Sequence, residues 1–152
     1  MRRPAVHRAI LLGSLLLTAG CSCGSPTQDL NARLQARLAP QLATNQAALQ
    51  QLPDGSQVLL IDQSLFTVGD AQLTDQGQYI LASVIEALID PRLLRIAIAD
   101  QPGTSAYLQS ARIQAVNQYF TDYGLAGTLQ PPSAPVVATP LGTVIGIHVA
   151  SN

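Results

Sequence analysis

The stretch LLRIAIADQPGTSAYLQSARIQAVNQYF, residues 93–120, carries in one run the signals of a strand, a turn and a helix. Over 93–99 the apolar side chains of Ile96 and Ile98 fall on one face, which is typical of a buried strand. The Gln-Pro-Gly sequence at 101–103 then predicts a turn, because proline and glycine interrupt regular structure. A strand followed directly by a helix indicates an α/β unit.

The helix of this unit is predicted to begin near Thr104 or Ser105, whose hydroxyl groups can cap a helix, and to end at Gly124. Arg112 lies about two turns into it. The predicted core face consists of residues at helical spacing: Leu108, Ala111, Ala115, Val116 and Tyr119.

Further segments complete the predicted domain. A first strand covers 57–66, a helix capped near Thr74 extends to residue 90, and a closing strand covers 143–149. The two valines at 136–137 predict another short strand. The resulting order, β-α-β-α-β(-β), predicts a two-layer α/β (α+β) sandwich with the helices on one face of a small sheet.

The first twenty residues predict a secretory signal peptide. Basic residues precede the apolar run 10–17, and small residues precede Cys21. The run is shorter than the roughly 20 residues that a membrane-spanning helix needs. The sequence LTAGC at 17–21 resembles a bacterial lipobox, which implies that Cys21 is acylated, with palmitate as one expected fatty acid. The alternative is a plain cleaved signal that leaves Cys21 free. Ser22 after the cysteine implies anchoring to the outer membrane, facing the periplasm.

Between the anchor and the domain, the sequence predicts a lipidated tether at 21–29 and an extra N-terminal helical spacer at 30–53. Leucines recur there amid glutamine, alanine and arginine, and Pro40 divides the pattern. The segment is either a spacer or docking helix for a partner, or a helix that packs on the domain. The domain itself is predicted to cover 54–152.

The composition excludes several classes of function. The 152 residues include eight arginines and no lysine against nine acidic residues, for a formal net charge of -1, which argues against nucleic-acid partners. The only cysteines are Cys21 and Cys23, too few and too close for a disulfide framework or a cysteine-based metal centre. With the signal removed, His148 is the sole histidine. We therefore expect no catalytic residues, no metal and no cofactor, and a binding protein rather than an enzyme.

Two charged side chains are the candidates for a ligand site. Asp100 follows a strand, where crevices in such sheets bind ligands, and Arg112 lies in the next helix. A guanidinium pairs with a carboxylate and an aspartate with an ammonium, so the two can hold the zwitterionic end of an amino acid. An internal ion pair between Asp100 and Arg112 is the alternative.

Residues 66–124 and the closing strand resemble the OmpA-like peptidoglycan-binding domain. The resemblance rests on Phe66, the sequence AQLT at 71–74, IAIAD at 96–100 and AYLQSARIQAV at 106–116. In that family the aspartate after the second strand and the arginine of the second helix hold the diaminopimelate of the peptidoglycan stem peptide. The resemblance therefore implies this role for Asp100 and Arg112. Ser105 stands at the position of a family asparagine and completes the expected ligand-binding set.

The chain also departs from the family pattern. Ile98 and Ala99 replace the residues that usually precede the aspartate, and Gly142-Thr143-Val144 replaces the usual Asn-Arg-Arg. The size and the anchor are similar to DotK/IcmN-type lipoproteins of type IVB secretion systems. Two functions follow as expectations. The protein either tethers the outer membrane to peptidoglycan, or serves with protein partners as a structural subunit of an envelope assembly, with a vestigial pocket.

Overall fold

The computed structural model describes residues 26–88, 94–100, 105–132, 136 and 142–151. In chain order, its helices are α1 (Pro26–Arg37), α2 (Ala39–Ala43), α3 (Asp62–Leu65), α4 (Asp75–Ala87) and α5 (Ala106–Asp122), with a 3₁₀ turn at Ala126–Thr128. Its strands are β1 (Ala47–Leu52), β2 (Gly55–Ile61), β3 (Leu94–Asp100), β4 (Leu129–Gln130) and β5 (Val144–Ser151). The predicted signal peptide, the lipidation site Cys21, and Val137 lie outside the described residues.

The five strands form one sheet in the order β1-β2-β5-β3-β4. β5 lies between β2 and β3 and is antiparallel to both, and the short β4 pairs in parallel with β3. The predicted strands at 57–66, 93–99 and 143–149 are thus the three central neighbours. The predicted α/β fold with helices packed on a small sheet is confirmed.

The main core lies between the sheet and the helices. Ile96 and Ile98 on β3 are buried, as the alternation predicts. They belong to one cluster with fully buried side chains from α1, α4, α5 and β5, among them Leu34, Leu81, Phe120, Ile145 and Ile147. Each such side chain stabilises the fold by roughly 1.5–3 kcal/mol relative to exposure.

Hydroxyl caps set the starts of the two long helices. Thr74 Oγ1 accepts a hydrogen bond from the Gly77 amide at 2.9 Å, and Ser105 Oγ accepts one from the Leu108 amide at 3.3 Å. Each cap satisfies a backbone donor that the first turn leaves unpaired. The sequence therefore located both helix starts correctly.

The predicted helical spacer at 30–53 is wrong in its second half. The helices there end at Ala43, and residues 47–52 form β1. β1 pairs antiparallel with β2, so that Ala47 lies opposite Leu60 at one end and Leu52 lies opposite Gly55 at the other. The leucine spacing is typical of a helix, but the backbone N–H and C=O groups of β1 form hydrogen bonds with β2. The sheet consequently begins at residue 47, before the predicted boundary at 54.

Three smaller predictions also change. The first strand ends at Ile61, because the chain turns into α3 at Asp62. Val136 lies in no strand; it packs instead on Leu59 and Val144, on the sheet face away from the main core. The buried residues of α5 are Arg112, Val116 and Phe120. Val116 was predicted, and the predicted Ala115 and Tyr119 pack partly buried against the core, whereas the prediction lacked Arg112 and Phe120. No helix among the described residues is long and apolar enough to span a membrane.

Candidate functional site

The site centres on the guanidinium of Arg112, which α5 directs inward. Only 7% of its side chain is exposed. Nη1 donates to Asp62 Oδ2 at 2.5 Å, and Nε donates to the carbonyl oxygen of Asp70 at 3.1 Å. Cζ lies 5.1 Å from the centroid of the Phe66 ring, within the range of a cation–π contact. Three groups from the segment between β2 and α4 thus hold one cation.

A cavity of about 360 Å³ opens beside this cation. Its size falls in the range of small-molecule sites, about 300–1,000 Å³. Val68 on its rim is 91% exposed, so the cavity meets solvent there. The described residues that line it are Ile61, Asp62, Gln63, Phe66, Val68, Gly69, Arg112, Gly142 and Thr143. The wall therefore combines one ion pair with apolar and neutral polar surface.

Asp62 is the acidic member of the site. It follows β2 directly, and its side chain is 6% exposed. Oδ2 accepts the Arg112 hydrogen bond, whereas Oδ1 is buried and accepts no hydrogen bond from the described residues. Burial raises the pKa of Asp62 above its ordinary value, and the positive charge of Arg112 opposes part of that rise.

The three residues predicted to bind the ligand, Asp100, Ser105 and Arg112, do not all line one cavity among the described residues. Asp100 ends β3 opposite Ile145 and is not among the described residues that line the cavity. Ser105 is exposed and its hydroxyl caps α5. Of the three predicted residues, only Arg112 lines this cavity, and the acid beside it is Asp62.

Sequence reasoning missed Asp62, although the signal for it was present. Asp62 directly follows β2, in which residues 58–60 are fully or nearly fully buried, and Asp100 is the last residue of β3. Each acid thus lies at the carboxyl end of a buried strand, and the sequence alone does not determine which of the two strand ends is close to Arg112.

A second, smaller cleft lies elsewhere on the sheet. It measures about 110 Å³, and its lining includes Asp54, Arg95, Gln130 and His148. His148 Nε2 lies 3.3 Å from Asp54 Oδ1. Among the described residues, no group of three or more potential metal ligands comes together.

Comparison with solved structures identifies similar folds. The cell wall anchor of the T6SS from Pseudomonas aeruginosa superposes with a TM-score of 0.61 at 22% identity, covering 80% of this chain and 99% of that one. A putative MotB-like protein from Desulfovibrio vulgaris gives 0.64 at 14% identity, covering 83% and 94%. The periplasmic domain of Helicobacter pylori MotB gives 0.55 at 15% identity, covering 70% and 80%.

At these identities, the likeness is one of fold. No protein-family model and no curated protein sequence matches this chain. The chain therefore shares the fold of domains that include a cell wall anchor and MotB periplasmic domains, and its ligand must be argued from its own residues.

Proposed function

We propose that this protein binds peptidoglycan non-covalently and anchors an envelope structure to the cell wall, without catalysis. The observation that carries the proposal is the buried Arg112 guanidinium in the wall of a solvent-open cavity. A cation fixed in this way suits a carboxylate, and stem peptides of peptidoglycan carry free carboxylates. The shared fold supports the proposal, because one of the similar structures is a cell wall anchor.

The test is co-sedimentation of the full chain, kept in solution by a mild detergent, with purified sacculi that contain diaminopimelate. Wild type should pellet saturably. Arg112→Lys keeps the charge but loses the planar fork, so its affinity should fall about tenfold or more. Arg37→Lys is the matched control, because Arg37 is exposed on α1 and pairs only with Glu86 among its described contacts. Circular dichroism and urea unfolding must show that the variants are folded.

Two results would contradict the proposal: wild type that stays in the supernatant, or Arg112→Lys that pellets like wild type. Asp100→Ala and Ser105→Ala belong in the same experiment, since both residues were expected to bind the ligand. Loss of pelleting in either variant would extend the binding site beyond the cavity around Arg112.

We further propose that Cys21 carries the lipid and that the protein faces the periplasm from the outer membrane. The carrying feature is the lipobox-like sequence at 17–21. Metabolic labelling with a palmitate analogue should mark wild type and not Cys21→Ser, and the variant should leave the outer-membrane fraction. Labelling of both proteins to the same extent would rule out Cys21 as the acylated residue.

A second candidate is a structural subunit of a secretion system, for example of type IVB, or of another envelope complex. Arg112 already has two protein partners, Asp62 and Asp70, as expected of a vestigial pocket. Tyr79, Tyr107 and Tyr123, on or just after α4 and α5, are 56–85% exposed and suit a protein interface. Crosslinking in the native envelope, with no pelleting on sacculi, is the result that favours this candidate.

A further inference from the structure

The ion pair in the cavity wall is incomplete. Arginine and carboxylate often pair through two parallel hydrogen bonds, but here a single bond joins Arg112 Nη1 to Asp62 Oδ2. Asp62 Oδ1 is buried and receives no donor from the described residues. A buried acceptor without a donor is costly, so this pair is poorly suited to a purely structural role. A donor supplied from the cavity would correct the deficit.

The pair also constrains which ligand can use Arg112. A ligand carboxylate that takes over Nη1 would leave Asp62 as a buried charge without a partner, which is strongly unfavourable. A ligand that brings an ammonium together with its carboxylate avoids this cost, because the ammonium can donate to Asp62. The terminal torsion of an aspartate is broad, so the carboxylate of Asp62, which lines the cavity, can turn to meet a donor there.

We infer that Asp62 accepts the ammonium of a zwitterionic amino-acid end and thereby makes the cavity select this ligand over a simple carboxylate. The inference rests on the proposed function in that it uses the same cavity, but it assigns the acidic role to Asp62 rather than Asp100. Ile61, Phe66 and Val68 supply apolar wall for the carbon chain of such a ligand.

The experiment compares two probes by calorimetry or NMR titration of the full chain. meso-Diaminopimelate carries two amino-acid ends, and pimelate is the same carbon chain without the ammonium groups. Wild type should prefer diaminopimelate. In Asp62→Asn the ratio of the two affinities should fall at least about tenfold, because a charge-assisted hydrogen bond is lost. Asp75→Asn, at an exposed acid in the first turn of α4, is the matched control.

A measurement on wild type covers the case in which Asp62→Asn fails to fold. The carboxyl-carbon NMR signal of Asp62 should shift on titration with diaminopimelate and much less with pimelate. Three results would overturn the inference: no preference in wild type, an unchanged preference in folded Asp62→Asn, or a preference lost in Asp100→Asn instead.

These outcomes separate the inference from the proposed function. Sacculus binding together with a preference that does not depend on Asp62 refutes the inference and leaves the proposed function standing. A preference that depends on Asp62 without sacculus binding refutes the proposed function and leaves the assignment of Asp62 standing.

Discussion

Arg112 Nη1 donates to Asp62 Oδ2 across 2.5 Å and so joins residues 50 positions apart in the chain. The contact connects the inward face of α5 to the point where β2 turns into α3. Both side chains are more than nine-tenths buried, so water screens their interaction little. The same contact therefore bears on the stability of the fold and on the chemistry of the cavity.

Arg112→Ala should destabilise the protein by about 3–5 kcal/mol, because it leaves Asp62 without its counter-charge in a buried site. The double variant Arg112→Ala/Asp62→Asn should recover part of that loss, since no uncompensated acid remains. Urea unfolding of the two single variants and the double variant measures the coupling. Strictly additive effects would show that the ion pair contributes nothing beyond packing.

Asp62 should make stability depend on pH. Its pKa is raised by burial, so the folded protein retains a proton that the unfolded chain releases near the ordinary value of 3.8. The free energy of unfolding contributed by this group therefore falls as pH rises from about 4 and levels off above the folded pKa. The unfolding free energy of wild type minus that of Asp62→Asn should therefore also decrease as the pH rises. A difference that grows with pH would mean that Arg112 outweighs burial.

Gly77→Ala should separate α4 from α3. A β-carbon there would clash with the carbonyl oxygen of Leu65 and lie 2.8 Å from its Cα, both backbone atoms. We expect a loss of about 1–3 kcal/mol, larger than the gain in helix propensity. The control is Gly127→Ala, where a β-carbon meets nothing within 4 Å. Thermal unfolding compares the two, and equal melting temperatures would argue against the close approach.

The phenol of Tyr119 should lose its proton at a higher pH than an ordinary tyrosine. Burial and its hydrogen bond with Tyr123 raise the pKa of Tyr119 to about 12. The Gln78 carbonyl oxygen, 3.0 Å from the Tyr119 hydroxyl, is the second acceptor within reach of its single hydrogen. The stability contributed by the neutral phenol is thus retained at neutral pH and lost as pH rises from about 10 towards the folded pKa. Tyrosinate absorbance should show a step near 12 that disappears in Tyr119→Phe and persists in Tyr107→Phe. A step that persists in Tyr119→Phe must belong to another residue.

Local chemistry made much of the fold predictable. Ile96 and Ile98 alternate on β3, Thr74 and Ser105 cap the long helices, and each signal acts within a few residues of its own position. Arg112 was found as a candidate by its residue type and its place on a helix. These features depend on sterics and hydrogen bonds between residues close together in the chain, so they can be predicted from the sequence alone.

Tertiary structure decided what depends on distant partners. The segment 47–52 is a strand because β2 supplies its hydrogen bonds, although its leucine spacing suits a helix. α5 turns Arg112 inward because Asp62, Asp70 and Phe66 receive the guanidinium there. Asp62 directly follows β2 and Asp100 is the last residue of β3, and only the packing of α5 against the sheet selects Asp62 as the acid beside Arg112. Burying a cation requires a counter-charge close in space, and the order of residues along the chain does not determine which one it is.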